Sequence, residues 1–180
     1  ESATTTMPQT AYNDLLLQRD GNRYRWELLE NRNLTLQHLD TNEVLKTVRL
    51  GIECGRLPED TGTDVPAILG KFGLLKDGVL NNAAAVLFGK HEDMEYPQCL
   101  LRLARFKGTD KTVFMDSQRI QGNFFQLLNA AMAFIFKHLS LSGTTDTLER
   151  EEHLTIPYKA IREGVLNSLT HRSYKEAGGS

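Results

Sequence analysis

The segment "NFFQLLNAAMAFIFKHL" limits the possible folds of this chain more than any other, because its apolar residues do not keep to one side of a helix. Asn123 is a favourable N-cap residue, and "SLSG" beyond Leu139 ends the helical pattern. A helix that is apolar nearly all round has to be covered on nearly every side. We therefore expect the protein to pack around a central buried helix from Phe124 to Leu139.

Short strands are predicted on either side of this helix. "CLLRLARFKG" alternates leucine with arginine, and "KTVFMDSQRI" is rich in residues that favour strands. The simplest arrangement joins the two through "GTDK" as an antiparallel pair. "LEREEHLTIP" is predicted to add a third strand that ends at Pro157. The expected fold class is α+β, with a small antiparallel sheet packed on the central helix and an amphipathic C-terminal helix.

The residues before this body are predicted to form a helical front end. Asp40 or Thr41 is a favourable N-cap before an apolar series at helical spacing. A second helix in "DVPAILGKF", the Asp-Gly turn of "LLKDGVL" and the N-cap residues of "NNAAAVLFG" follow. This order is typical of a winged-helix-like unit, and also of a helical hairpin that only packs. Lys71 is the one basic residue of "DVPAILGKF", which favours the hairpin, because base recognition needs several basic or amide side chains.

The charge balance argues against a dedicated nucleic-acid binder. Lys plus Arg number 21 and Asp plus Glu number 23, for a formal net charge of −2, whereas such binders usually carry a basic excess. Cys54 and Cys99 lack metal-ligand spacing, and no apolar run approaches the ~20 residues of a membrane span. The start "ESATTTMPQT" lacks the pattern of an export signal. We expect a soluble, cytoplasmic protein without structural zinc and without a membrane contact.

The last helix, predicted to begin at Tyr158, has two different sides. The residues on its apolar side are Ile161, Val165, Leu166 and Leu169, and those on its polar side are Glu163, Asn167, Thr170, His171 and Tyr174. A solvated surface explains the polar side. A second explanation is chemical, since an asparagine oxygen can hold a hard cation between phosphates and a carboxylate one turn earlier can orient a water. Spacing alone does not choose between the two.

Four phrases in order, "LLKDGVLNNAAAVLFGK", "PQCLLRLARFKGTDKTVFMD", "QGNFFQLLNAAMAFIFKHL" and "LEREEHLTIPYKAIREGVLNSLTHRSY", resemble bacterial transcriptional regulators also labelled RecG-like helicase C-terminal proteins. The resemblance covers Leu34 to Ser180. It implies a Schlafen-type (Alba-related) DNA-binding module upstream and a GHKL-like ATPase lobe that begins at the last helix. Residues 1–32 would then be the tail of the upstream module and a linker, and residues 33–180 a central α+β domain ending at the first helix of a truncated lobe.

The resemblance also implies roles for residues of the last helix. The family phrase is similar to Arg-Glu-Ala-x-x-Asn-Ala-x-x-His-Arg-Asp-Tyr, and the residues that match it here are Arg162, Glu163, Asn167, His171, Arg172 and Tyr174. It implies that Glu163 is the general base, that Asn167 holds magnesium, and that Asn167, His171 and Arg172 contact the nucleotide. The residues that depart from the family phrase are Gly164, Ser168 and Ser173.

The implied function is that of a connector within a DNA-binding transcriptional regulator. The longer protein would bind DNA through its upstream module and ATP with magnesium through its ATPase-like lobe. We expect this fragment to bind neither cofactor and to lack catalysis alone, because it ends before the acidic strand and glycine-rich lid of such a lobe. Two alternatives remain open. In the first, the chain is part of an ATP-dependent, helicase-related enzyme. In the second, it is a dimerisation domain of a homo-oligomer and has no nucleotide role.

Weaker candidate sites lie elsewhere in the chain. Arg105, Lys107 and Lys111 cluster in the turn "RFKGTDK", where they would contact nucleic-acid phosphate, although most such turns are simply solvated. His153 has no second ligand at metal-binding spacing. His138 is predicted to stabilise the C-terminal end of the central helix, because a positive charge there interacts favourably with the helix dipole.

Overall fold

The computed structural model describes residues 7–10, 12–13, 25–90, 96–108, 111–139, 141–144, 151–154 and 156–175. The helices are α1 (Thr41–Glu53), α2 (Val65–Lys71), α3 (Asn82–Phe88), α4 (Phe124–His138) and α5 (Tyr158–Thr170). The strands are β1 (Leu75–Lys76), β2 (Val79–Leu80), β3 (Leu100–Phe106), β4 (Phe114–Gln121), β5 (Leu141–Thr144) and β6 (Glu151–Leu154). The fold is α+β, as predicted. Much of the predicted tail, residues 1–32, lies outside the described residues.

The predicted helical front end is confirmed, and each of its helices begins at a side-chain cap. Asp40, Asp64 and Asn81 accept hydrogen bonds from the backbone N–H groups three residues later. The β1–β2 turn is formed by Asp77 (φ 50°) and Gly78 (φ 80°), the positive values that a two-residue hairpin turn requires. We call the buried side chains that these elements share the front cluster. Its members are Leu39, Val44, Val48, Ile68, Leu69, Leu74, Leu80, Ala84 and Phe88.

The predicted antiparallel pair is also confirmed. Strands β3 and β4 pair from Leu100 opposite Gln121 to Phe106 opposite Phe114, with a bulge between Arg105 and Phe106. This sheet packs on α4 and α5, and we call the buried side chains shared there the rear cluster. Its members are Leu127, Leu128, Met132 and Leu169, with Leu101, Ile120, Ile161, Val165 and Leu166 partly buried against them.

Helix α4 begins at the predicted cap, where the Asn123 side chain accepts from Gln126 N and the Gln126 side chain accepts from Asn123 N. The helix is less enclosed than its apolar sequence suggests. One stripe of it, Gln126, Asn129, Ala133 and Lys137, is exposed. Polar and small residues at spacings of three and four leave this side to solvent, so α4 is covered on most of its surface but not all round.

A strand in "LEREEHLTIP" is confirmed as β6, but it ends at Leu154 rather than at Pro157, and its partner was missed. Strand β5 pairs antiparallel with β6, from Leu141 opposite Leu154 to Thr144 opposite Glu151, and forms a sheet separate from β3–β4. The segment "SLSG" was predicted only to end a helix. Pairing with β6 makes Leu141, Ser142 and Gly143 extended, and no local pattern in these three letters indicates it. None of the described helices is both long and apolar enough to cross a bilayer.

Candidate functional site

Helix α5 is anchored by its apolar side. Pro157 precedes it in extended conformation, which suits the start of a helix. Leu169 is buried in the rear cluster, while Ile161, Val165 and Leu166 pack against its edge. The predicted amphipathic last helix is therefore confirmed, and its polar side faces away from the sheet and from α4.

Glu163 and Asn167 lie side by side on this polar side. Both residues are exposed, and the Asn167 Nδ2 donates a hydrogen bond of 3.3 Å to the Glu163 Oε1. Gly164 lies between them in sequence, and a Cβ built on it meets no atom within 4 Å. We call Glu163, Asn167 and the exposed residues that follow at helical spacing, Thr170 and His171, the polar ridge. The ridge is open, and its two predicted catalytic-site residues are already in contact.

The chemistry of this pair suits magnesium. The Asn167 amide turns its nitrogen toward the carboxylate, which leaves its oxygen on the opposite side of the amide group. Carboxylate and amide oxygens are ligands for hard cations, and Mg²⁺ is typically held by one or two protein oxygens together with substrate phosphates and waters. Among the described residues, no cluster of three or more His, Cys, Asp or Glu side chains is placed to hold a metal ion. A cation at the ridge would therefore need oxygens from a bound phosphate.

His171 and Arg172 take different directions after α5. His171 is the exposed C-cap residue, and its backbone N–H donates to the Asn167 carbonyl over 3.0 Å. Arg172 is partly buried, and its NH1 donates to the Leu100 carbonyl of β3 over 2.9 Å. Of the predicted nucleotide-contacting residues, His171 stays with the ridge, whereas Arg172 fastens the end of α5 to the sheet. That fastening was not predicted, because the two residues are far apart in sequence.

Tyr174 was predicted to lie on the polar side of α5, but its side chain is partly buried and turns back toward the end of the helix. Its hydroxyl donates to the Leu169 carbonyl over 2.9 Å. Burial raises the pKa of Tyr174 to about 12, and the neighbouring Arg172 charge offsets part of this rise. Burial likewise raises the pKa of Cys99 to about 11, again with Arg172 acting in the opposite direction. Both groups are therefore uncharged at neutral pH, and Arg172 is the charged group among them.

The weak phosphate-contact candidates lie at the far end of the β3–β4 hairpin. Arg105, Lys107 and Lys111 are exposed there. The Lys107 N–H donates to the Val113 carbonyl over 2.9 Å, which closes the hairpin, and the Arg105 NH1 lies 3.0 Å from the His138 Nδ1. These residues belong to a different element from the ridge, and their role in nucleic-acid binding stays a prediction.

A charged cluster around His138 was not predicted. Its Nε2 lies 2.7 Å from the Asp116 Oδ2, which also accepts from the Lys137 Nζ at 2.8 Å. A guanidinium only donates, so the His138 Nδ1 accepts from Arg105 and the Nε2 carries the proton given to Asp116. Hydrogen bonds from Lys137 and then His138 hold the pKa of Asp116 below its usual value. His138 thus joins α4 to both strands of the sheet, which its sequence position did not predict; the effect of its charge on the helix end stays a prediction.

Comparison with known proteins identifies a shared fold but no family and no function. The sequence matches no family model and no curated protein. Among solved structures, it is similar to the crystal structure of the DIP2311 protein from Corynebacterium diphtheriae, with 14% sequence identity and a TM-score of 0.65. The match covers 97% of this chain and 33% of that one. At this identity the likeness shows a shared fold, and the chain spans about a third of that protein's length.

Proposed function

We propose that this chain is the central part of a longer DNA-binding regulator and that its last helix faces a magnesium-bound ATP. The observation that carries this proposal is the contact between Glu163 and Asn167 on the open side of a helix whose other side is anchored. Side chains four apart also pair on a solvated helix, so the test below has to separate the two explanations.

Glu163 and Asn167 would have different roles in phosphoryl-group chemistry. Magnesium, when bound, neutralises charge on the phosphate oxygens. The Asn167 oxygen would supply one ligand, while its N–H fixes the orientation of the Glu163 carboxylate. That carboxylate is exposed and accepts hydrogen bonds, so it can position a water and take its proton. His171, one turn beyond Asn167, would contact the same ligand.

The proposed role in DNA binding is indirect. Helix α2, which would be the recognition helix of a winged-helix-like unit, buries Ile68 and Leu69 and carries Lys71 as its basic residue. The Lys71 Nζ lies 3.5 Å from the Thr61 carbonyl. With a formal net charge of −2, this chain offers little to a polyanion. We propose that a separate upstream module binds DNA and that this domain connects it to the ATPase-like lobe.

The test of the nucleotide role uses the longer protein. Isothermal titration with ATP and magnesium is combined with phosphate-release measurements on wild type, Glu163→Gln and Asn167→Ala. Glu163→Gln is expected to keep nucleotide affinity and lower turnover by about 100-fold or more, the usual effect of losing a general base. Asn167→Ala is expected to weaken magnesium-dependent binding by about tenfold or more.

Ser168→Ala is the matched control, because Ser168 is exposed on the same helix and belongs to neither the ridge nor the rear cluster. It is expected to behave like wild type. Absence of nucleotide binding in the wild-type protein, or unchanged turnover in Glu163→Gln, would contradict the proposal.

DNA affinity is measured separately by fluorescence anisotropy at about 50 mM and about 200 mM salt. The longer protein is expected to bind, and this chain alone to bind weakly at both salt concentrations. Strong, salt-sensitive binding by this chain alone would place the DNA contact here and contradict the connector role.

A further inference from the structure

A pocket of about 550 Å³ lies where the front end meets the end of α5. One wall is α3, through Ala83, Val86 and Leu87, and the opposite wall is formed by Phe124 and Leu169. Polar residues stand at its rim, among them Thr170 and Ser173. Neither Glu163 nor Asn167 lines it, so the pocket is separate from the two main residues of the polar ridge.

Trp26 supplies a fixed aromatic surface to this pocket. Its indole meets the Tyr96 ring edge to face, with ring centroids 5.3 Å apart and planes at 87°. The Trp26 carbonyl accepts from the Asn82 Nδ2 over 2.9 Å, and Asn82 is buried at the start of α3. Contacts on both sides hold the residue in place, so the aromatic wall is formed before any ligand arrives.

Charged residues line the part of the pocket that the structure describes. Arg25 is paired with Glu27 at 2.6 Å, and these two charges offset each other. Arg172 and Lys175 also line the pocket. The Arg172 guanidinium keeps its charge while it donates to the Leu100 carbonyl. The exposed Lys175 ammonium beside apolar walls favours a ligand that has an anionic group at one end and an apolar body.

We infer that this pocket binds a small organic anion with a planar apolar body. Its volume lies within the range of about 300 to 1,000 Å³ that is usual for small-molecule sites, which are mainly apolar with a few placed polar groups. Phe124, Leu169 and Trp26 would cover the body of the ligand, and Lys175 would face its anionic group. Thr170 belongs to both the pocket and the polar ridge, so an occupant touches the helix that carries Glu163 and Asn167. The inference does not depend on the nucleotide proposal.

The probe is 8-anilinonaphthalene-1-sulfonate, an anion of this chemical class. The chain contains a single tryptophan, Trp26, so quenching of its fluorescence with energy transfer to the dye reports binding, and the variants below locate the site. Titration of the 180-residue chain without nucleotide is expected to give one site per chain. The uncharged analogue N-phenyl-1-naphthylamine is expected to bind about fivefold more weakly, the usual worth of one partly exposed charge contact.

Two variants with matched controls decide whether the pocket is the site. Thr170→Phe fills the pocket from an exposed position and is expected to weaken dye binding by about tenfold or more, whereas Ser168→Phe, also exposed on α5 but outside the pocket, is expected to have no effect. Lys175→Gln is expected to weaken binding of the anion about fivefold and leave the uncharged analogue unaffected, with Lys159→Gln as its control.

Several results would overturn the inference. They are dye binding at several sites per chain, equal binding of the charged and uncharged dyes, or equal affinities for Thr170→Phe and Ser168→Phe. Because no nucleotide is present in these titrations, their failure leaves the proposal for Glu163 and Asn167 standing. Success here would likewise not establish nucleotide binding.

Discussion

The molecule has a front half built around the front cluster and a rear half built around the rear cluster, and the two halves use their apolar residues differently. In the front cluster, short capped helices and a two-residue turn direct the large side chains inward, and Phe88, Ile68 and Leu69 are almost completely buried. In the rear half, Val113, Phe114 and Met115 are each more than half exposed, and α5 buries Leu169 alone while its ridge stays open. The front half has the larger buried cluster, although Leu28 (52%) and Leu50 (50%) are exposed there as well. The polar ridge lies on the rear half, whereas the pocket lies where the two halves meet.

The test of this contrast with the largest expected effect compares two phenylalanines. Phe88 is 2% exposed and stacks on Phe125, whereas Phe114 is 61% exposed and touches Phe106. Phe88→Ala is expected to lower the free energy of unfolding by about 3 to 5 kcal/mol through the cavity it leaves. Phe114→Ala should cost about 1 kcal/mol or less, mainly the lost ring contact. Urea unfolding measures both, and similar losses at the two positions would remove the distinction between the halves.

The second prediction concerns the joint between the halves. Asn123 is fully buried, caps α4 and donates from its Nδ2 to the Gly89 carbonyl over 3.1 Å, at the end of α3. Asn123→Ala removes the cap and leaves a buried carbonyl without its donor, so we expect a loss of about 2 to 4 kcal/mol in the same urea assay.

A second substitution at this position separates the two contributions. Asn123→Ser keeps a capping oxygen but does not reach Gly89 as a donor, so it is expected to recover roughly half of the lost stability. If serine recovers all of it, the bond to Gly89 contributes nothing to the joint between the halves.

The elements that the sequence predicted correctly are those with local causes. The caps at Asp40 and Asn123, the Asp77–Gly78 turn and the two-sided pattern of α5 each depend on residues within one or two turns. The adjacency of Glu163 and Asn167 was predictable for the same reason, since residues four apart on a helix are neighbours.

The unpredicted features join residues that are distant in the chain. Arg172 reaches a carbonyl 72 residues away, and His138 reaches Asp116 across 22 residues. The pairing of β5 with β6 and the pocket beside Trp26 likewise arise when separate segments meet. Loop closure and packing decide such contacts, and periodicity carries no information about them. Sequence therefore indicated the ridge but not the pocket.

The third prediction compares glycines inside two helices. Gly164 lies in the open part of α5, where an added Cβ meets nothing within 4 Å, whereas a Cβ on Gly51 in α1 would lie 2.7 Å from the Leu57 Cδ1. Gly164→Ala is expected to raise the free energy of unfolding by about 1 kcal/mol, the difference in helix propensity. Gly51→Ala should show no net gain, because the clash offsets that difference. Equal gains in urea unfolding would mean that the front half is no more tightly packed than the ridge.

The smallest expected effect is the acid sensitivity of the rear half. Hydrogen bonds from Lys137 and His138 lower the pKa of Asp116, so its ionised form is favoured by folding. A carboxyl whose pKa is lowered in the folded state adds stability above its unfolded pKa of about 3.9, and this stability is lost as pH falls through the folded value. Lys137 is mostly exposed, which screens the pair and keeps the contribution small.

Asp116→Asn should therefore be less stable than wild type at about pH 5, and the gap should narrow toward about pH 3. Urea unfolding at both pH values measures the gap, with Asp60→Asn, an exposed acid of the front half, as the comparison. A gap that stays constant or widens as pH falls would show that the contacts of Asp116 with α4 do not favour its ionised form. The link between the sheet and the end of the central helix would then depend on packing rather than charge.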